Sequence, residues 1–75
     1  MTIYDLKWEP SRIGMGFTAT HKFDNGRTAT ILHAGRTYDL YIRAKDGRLI
    51  YCKQGLDRTG LMARMNYHGQ LPSST

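Results

Sequence analysis

Apolar and polar positions alternate with a period of two over most of residues 14–54, the pattern of strands with one buried face. Two turn signals divide this region. Asp24-Asn25-Gly26 separates Gly16–Phe23 from Arg27–Leu32, and Lys45-Asp46-Gly47 separates Thr37–Ala44 from Arg48–Lys53. Gly at the third loop position supplies the left-handed conformation that a three-residue hairpin loop needs. That loop length fixes register. It sets Phe17 opposite His33, Ala19 opposite Ile31, His21 opposite Ala29 and Phe23 opposite Arg27. In the second hairpin it sets Leu40 opposite Cys52, Ile42 opposite Ile50 and Ala44 opposite Arg48. One face then carries Phe17, Ala19, Phe23, Ala29 and Ile31, continued by Tyr38, Leu40, Ile42, Ile50 and Cys52, and is the predicted core. A two-residue loop would scatter these residues over both faces.

On the opposite face of the second hairpin, the same register predicts an aromatic pair, Tyr41 with Tyr51, and a charge pair, Asp39 with Lys53. Arg43 and Leu49 share that face. Toward the N-terminus, Ile3–Trp8 reads as a short strand that Glu9-Pro10-Ser11 breaks. His33-Ala34-Gly35 reads as a loop. Beyond Gly55, Leu56, Leu61, Met62 and Met65 have helical spacing, with Asp57 or Thr59 to cap the start and Gly69 to stop the end. Alternation at Leu61, Ala63, Met65 and Tyr67 also allows a strand, and Gly60 disfavours a helix. The expected fold is mainly β, or small α+β: an antiparallel meander of four to five short strands with at most one short C-terminal helix. It forms one domain over residues 1–71, followed by a disordered tail over 72–75.

At 75 residues the chain has room for one domain. A domain of this size buries only about 60% of its extended surface, which makes a homodimer or a larger partner a natural support. Eleven Lys and Arg against six acids give a net charge of +5. That balance favours acidic partners: nucleic acid, phosphate groups or an acidic protein surface. The single Cys forbids an internal disulfide. Met1-Thr2-Ile3-Tyr4-Asp5 lacks the charged start and apolar run of a signal peptide, and no apolar stretch is long enough to span a membrane. A cytoplasmic setting is expected.

The stretch "YCKQGLDRTGLMA", residues 51–63, holds Cys52-x5-Arg58-Thr59-Gly60. It resembles the phosphate-binding signature of the dual-specificity and tyrosine phosphatases. The resemblance implies Cys52 as nucleophile, Arg58 as bidentate phosphate clamp and Thr59 as the residue lowering the thiol pKa. Those enzymes need a parallel sheet with crossovers of a dozen or more residues each, and residues 14–54 leave no room for one. The hairpin register also turns Cys52 into the core. His21, His33 and His68 lie far apart, without the close ligand pairs of a zinc site. Neither a metal nor another cofactor is expected.

Tyr41, Arg43, Tyr51 and Lys53 on one sheet face read either as a stacking platform for single-stranded nucleic acid, as a protein interface, or as a face packed beneath the C-terminal segment. The pieces Ile3–Lys7, Gly16–Thr20, Phe23–Gly26, Tyr38–Ile42 and Asp46–Tyr51 resemble small phage- and prophage-encoded proteins of unassigned function, and Gly55–Leu61 is similar to a short segment of some anti-CRISPR proteins. The second strand and the tail depart from the phage pattern, which has a Gly-Tyr-Gly-rich strand and an acidic helix. These resemblances imply a non-enzymatic protein that binds and inhibits a host defence or nucleic-acid-processing complex, a host protein or ribonucleoprotein, in the bacterial cytoplasm. The expected binding residues are Tyr41, Arg43, Tyr51, Lys53, Arg58 and Arg64. The alternatives are a sequence-tolerant single-stranded nucleic-acid-binding module and a phosphatase using Cys52 and Arg58.

Overall fold

A computed structural model describes residues 6–11 and 16–72. Five antiparallel strands form one meander sheet in chain order: β1 (Trp8–Pro10), β2 (Phe17–Lys22), β3 (Thr28–Ala34), β4 (Thr37–Arg43) and β5 (Leu49–Leu56). A helix, α1 (Arg58–Gln70), follows and lies across one face. The expected meander with a C-terminal helix is therefore the architecture of the chain. Residues 1–5 and 73–75 fall outside the described segments, and with them most of the Ile3–Trp8 strand reading and of the tail reading.

The first hairpin follows its loop. Phe23 N–H donates to Arg27 at 2.8 Å, Gly26 takes φ +92°, and Phe17, Ala19 and His21 face His33, Ile31 and Ala29 as the three-residue loop requires. The strand reading at the N-terminus needs correction: Trp8–Pro10 is itself the strand, paired with Phe17–Ala19. Pro10 is tolerated because β1 is an edge strand, where a missing N–H breaks no ladder bond.

The second hairpin starts as expected, with Ala44 N–H donating to Arg48 O at 2.8 Å, and then departs. Arg43 faces Leu49 but Ile42 faces Tyr51, so Ile50 is the extra residue of a β-bulge. A one-residue slip exchanges the faces of the side chains that follow it, here until a second shift between Leu40 and Tyr38 sets Leu56 opposite Tyr38. Tyr51 turns to the core side opposite Ile42, and Cys52 turns outward opposite Tyr41. Cys52, expected in the core, is exposed. Ile50 is 42% exposed. The expected Tyr41–Tyr51 pair does not form, because the two rings lie on opposite faces. Lys53 sits opposite Leu40, and the Asp39 carboxylate instead accepts from Gly55 N–H at 3.2 Å.

The core lies between the sheet and α1. Ala19, Ala29, Ile31, Tyr38, Leu40 and Ile42 meet Leu61 and Met65 from the helix, with Leu6 and Leu56 at the margins. Phe17 is on this face yet half exposed at its end. Leu61, Met65 and His68 form a stripe at i, i+4 and i+7, which decides between helix and strand for this segment. Burying each of the two apolar side chains fully contributes roughly 1.5–3 kcal/mol. Asp57 caps the start, its carboxylate accepting from Gly60 N–H at 2.6 Å. The helix does not stop at Gly69. It continues to Gln70, because Gly69 does not take the left-handed conformation of a helix stop; the glycine instead fits against the Phe23 ring, where a Cβ would approach Cδ1 to 3.1 Å.

The far end of α1 is held by the first hairpin loop. Asn25 is buried and donates from Nδ2 to His68 O at 2.7 Å and to Leu71 O at 3.0 Å, while its Oδ1 accepts from Arg27 N–H at 3.1 Å. Arg27 Nη1 donates to Pro72 O at 2.8 Å. The last four carbonyls of a helix have no partner within it. A turn residue 43 positions away in sequence supplies one here.

Candidate functional site

The bulge in β5 and a second stripe of α1 together make a groove. On the helix, Gly60, Ala63, Arg64 and Tyr67 lie on a flank beside the core stripe, and the two small residues leave space against the sheet. From β5 come Ile50, extruded by the bulge, and Tyr51, brought to the helix side by the same slip. Arg27 closes the end next to the Asn25 loop. The space is about 740 Å³. That falls within the range of small-molecule sites.

The lining is cationic and aromatic, with no carboxylate among the described residues that form it. The Arg64 guanidinium lies over the Tyr51 ring, 6.0 Å from its centroid, at the outer limit of a cation–π contact. His68 sits between two tyrosines, 4.6 Å from Tyr51 and 5.3 Å from Tyr67 by ring centroids. Tyr67 is 61% exposed, unusual for a ring this size. Burial first, and then the positive charges of Arg27 and Arg64, hold the His68 imidazole below its ordinary pKa. Two buried polar atoms of the lining, Arg27 Nε and His68 Nδ1, have no hydrogen-bond partner.

Of the six residues expected to bind a partner, the groove unites two, Tyr51 and Arg64. Tyr41 and Arg43 are on the opposite, outer face of the sheet. There Tyr41 Oη lies 3.5 Å from Gln54 Nε2, and Arg43 Nη1 donates to Gly47 O at 3.3 Å. Lys53 is exposed on the core side of β5, and Arg58 is the exposed first residue of α1. Arg27, Tyr67 and His68 belong to the groove without having been expected there. The spacing Arg64–Tyr67–His68 would have flagged two of them once the segment was read as helix, since residues three and four apart share a face. Arg27 carries no local signal, because only the tertiary contact of the hairpin loop with α1 places it.

The phosphatase-like elements are separated. Cys52 lies on the outer face, whereas Arg58 opens a helix that packs on the inner one, and the first-turn amide of Gly60 is already engaged by Asp57. No three His, Cys, Asp or Glu side chains among the described residues cluster to hold a metal. No described helix is long and apolar enough to cross a membrane. Comparison with protein-family models, curated proteins and solved structures returns no match.

Proposed function

We propose that the chain is a non-enzymatic binding protein that engages single-stranded nucleic acid through the groove between α1 and β5. The observation that carries this reading is the groove's lining: two arginines and two tyrosines on one concave surface, without an opposing carboxylate. Cations track a phosphate backbone, and aromatic rings stack bases of any sequence. The net charge of +5 acts in the same direction at long range. Gripping two phosphates, one per arginine, gives a salt slope of about −1.4 and an affinity loss of roughly sevenfold between 50 and 200 mM salt. Fluorescence anisotropy of a labelled oligonucleotide across that range is the test. A salt-independent affinity, or no binding at low salt, overturns the proposal.

A second reading keeps the inhibitor of a host defence or nucleic-acid-processing complex, docking on protein. It is favoured by the outer sheet face, which no described element covers and where Arg43 pairs with the 45%-exposed Leu49 beside Tyr41. Aromatic and Arg side chains are enriched at protein interfaces. The two readings separate by variant: Arg43→Glu impairs docking through the outer face, and Arg64→Glu impairs binding in the groove.

A further inference from the structure

We infer that the groove is a subsite for one nucleotide, taking a base unstacked from its strand against Tyr67, its own phosphate at Arg64 and the next phosphate of the strand at Arg27. This rests on the nucleic-acid reading and adds to it the unit recognised and the role of each side chain.

Tyr67 is the platform. Its ring is 61% exposed, and its neighbour His68 holds an edge against it at 5.3 Å, so one contact of the ring is fixed while the rest stays open. Such an exposed ring beside a concave space offers a base a flat partner of matching size. Arg64 is three residues earlier on the helix, on the same flank. The Tyr51 ring lies beneath its guanidinium, 6.0 Å from centroid to carbon, and adds a second aromatic surface beside that charge. Arg27 stands at the other end, tethered through Nη1 to Pro72 O, with its remaining N–H groups not committed to that bond.

The wall of the groove is also incompletely hydrogen-bonded. His68 is more than nine-tenths buried and lines the groove, yet its Nδ1 has no partner, and neither does the buried Nε of Arg27. Buried polar groups are almost always hydrogen-bonded. Both atoms lie behind the wall of the cationic groove, each with less than 1 Å² exposed, so an occupant reaches them only when the side chain that carries each one rotates. Ile50 and Leu71 supply the apolar rim that a base covers better than water does.

The experiment is an amide and aromatic NMR titration of the whole chain with adenosine monophosphate, adenosine and inorganic phosphate, run beside an anisotropy titration with labelled oligo-dT. The subsite predicts saturable shifts at Gly60, Ala63, Tyr67 and His68 with the nucleotide, and binding at least about tenfold weaker for adenosine and for phosphate alone. Loss of one base stack in Tyr67→Ala weakens the nucleotide about tenfold or more. Arg64→Gln weakens adenosine monophosphate but leaves adenosine unchanged. Both side chains are exposed, and the amide spectrum of each variant reports its fold directly. Inorganic phosphate binding as tightly as the nucleotide overturns the base subsite. Nucleotide shifts that bypass the groove, or survive in Tyr67→Ala, also overturn it. If the oligonucleotide binds with the predicted salt slope and loses affinity in Arg64→Gln while the mononucleotide moves no groove signal, this inference fails and the nucleic-acid reading of the groove stands without a nucleotide subsite. If neither ligand binds, both fail.

Discussion

Asn25→Ala should be among the most damaging substitutions of an exposed-looking turn residue in this chain. The side chain makes two donor bonds, to His68 O and Leu71 O, and one acceptor bond, from Arg27 N–H. Each is worth about 1 kcal/mol net, and a buried carbonyl left without a donor adds roughly another 1 kcal/mol. The expected loss is about 4 kcal/mol, against a total stability of roughly 4–11 kcal/mol for a domain of this size. At about 4–8 °C per kcal/mol the melting temperature falls by ~16 °C or more. The second hairpin provides an internal control. Asp46 Oδ1 accepts from Arg48 N–H at 3.0 Å in the same turn position, but is exposed and caps no helix. Asp46→Ala should therefore cost only about 0.5–1 kcal/mol. Asn25→Asp sharpens the distinction, because it keeps the turn acceptor and replaces the donor with a negative charge facing the helix C-terminus. It should be no better than Ala. Urea unfolding followed by circular dichroism measures all three. An Asn25→Ala loss within about 0.5 kcal/mol of Asp46→Ala, or a wild-type Asn25→Asp, would refute the view that the loop clamps the helix.

Three further outcomes follow from the same contacts. Asp57→Ala should cost about 1 kcal/mol in urea unfolding through the lost N-cap, with Asp57→Ser recovering most of it. Gly69→Ala should fail to give the roughly 1 kcal/mol that helix propensity promises, since the new Cβ would press to within 3.1 Å of the Phe23 ring; a full gain in melting temperature would show that the ring yields freely. The His68 pKa is lowered in the folded chain, so the unfolded chain binds this proton more readily. The stability it contributes is full above the ordinary value of about 6.5 and is lost as pH falls through the folded value. The groups facing it are Arg27, Arg64, Tyr51 and Tyr67. His68→Gln should flatten the decline in melting temperature between about pH 7.5 and 5, and an unchanged slope would contradict that cause.

How far the fold could be read in advance depended on what pins a strand. The first hairpin was fully legible because Asp24-Asn25-Gly26 sets the loop and the alternation of Phe17 to Ile31 sets the faces. The second failed at one residue. Leu49-Ile50-Tyr51 is three apolar residues in a row, which a period of two cannot place on one face, and the chain resolves the conflict by bulging at Ile50. Tyr51, Cys52 and Lys53 changed sides, and a second shift sets Leu56 opposite Tyr38 in the core. The helix was ambiguous because only Leu61, Met65 and His68 of its thirteen residues are buried, a narrow stripe with glycine at both ends. Arg64 and Tyr51 were expected to bind for their chemistry, and they do share a groove. Tyr41 and Arg43 were grouped with them only by the unshifted register. Arg27 and Asn25 looked like ordinary loop residues, since nothing local in the chain announces a contact with a helix more than forty residues away.

The most direct test of the central claim compares oligonucleotide binding by the intact chain, Arg64→Glu and Arg43→Glu at one low salt concentration, with each variant's fold verified by circular dichroism. The groove account predicts that Arg64→Glu loses at least about tenfold in affinity by reversing a phosphate-facing charge, while Arg43→Glu, on the opposite face, stays within about threefold of the intact chain. Binding that survives Arg64→Glu and is lost in Arg43→Glu would contradict it and move recognition to the outer face of the sheet.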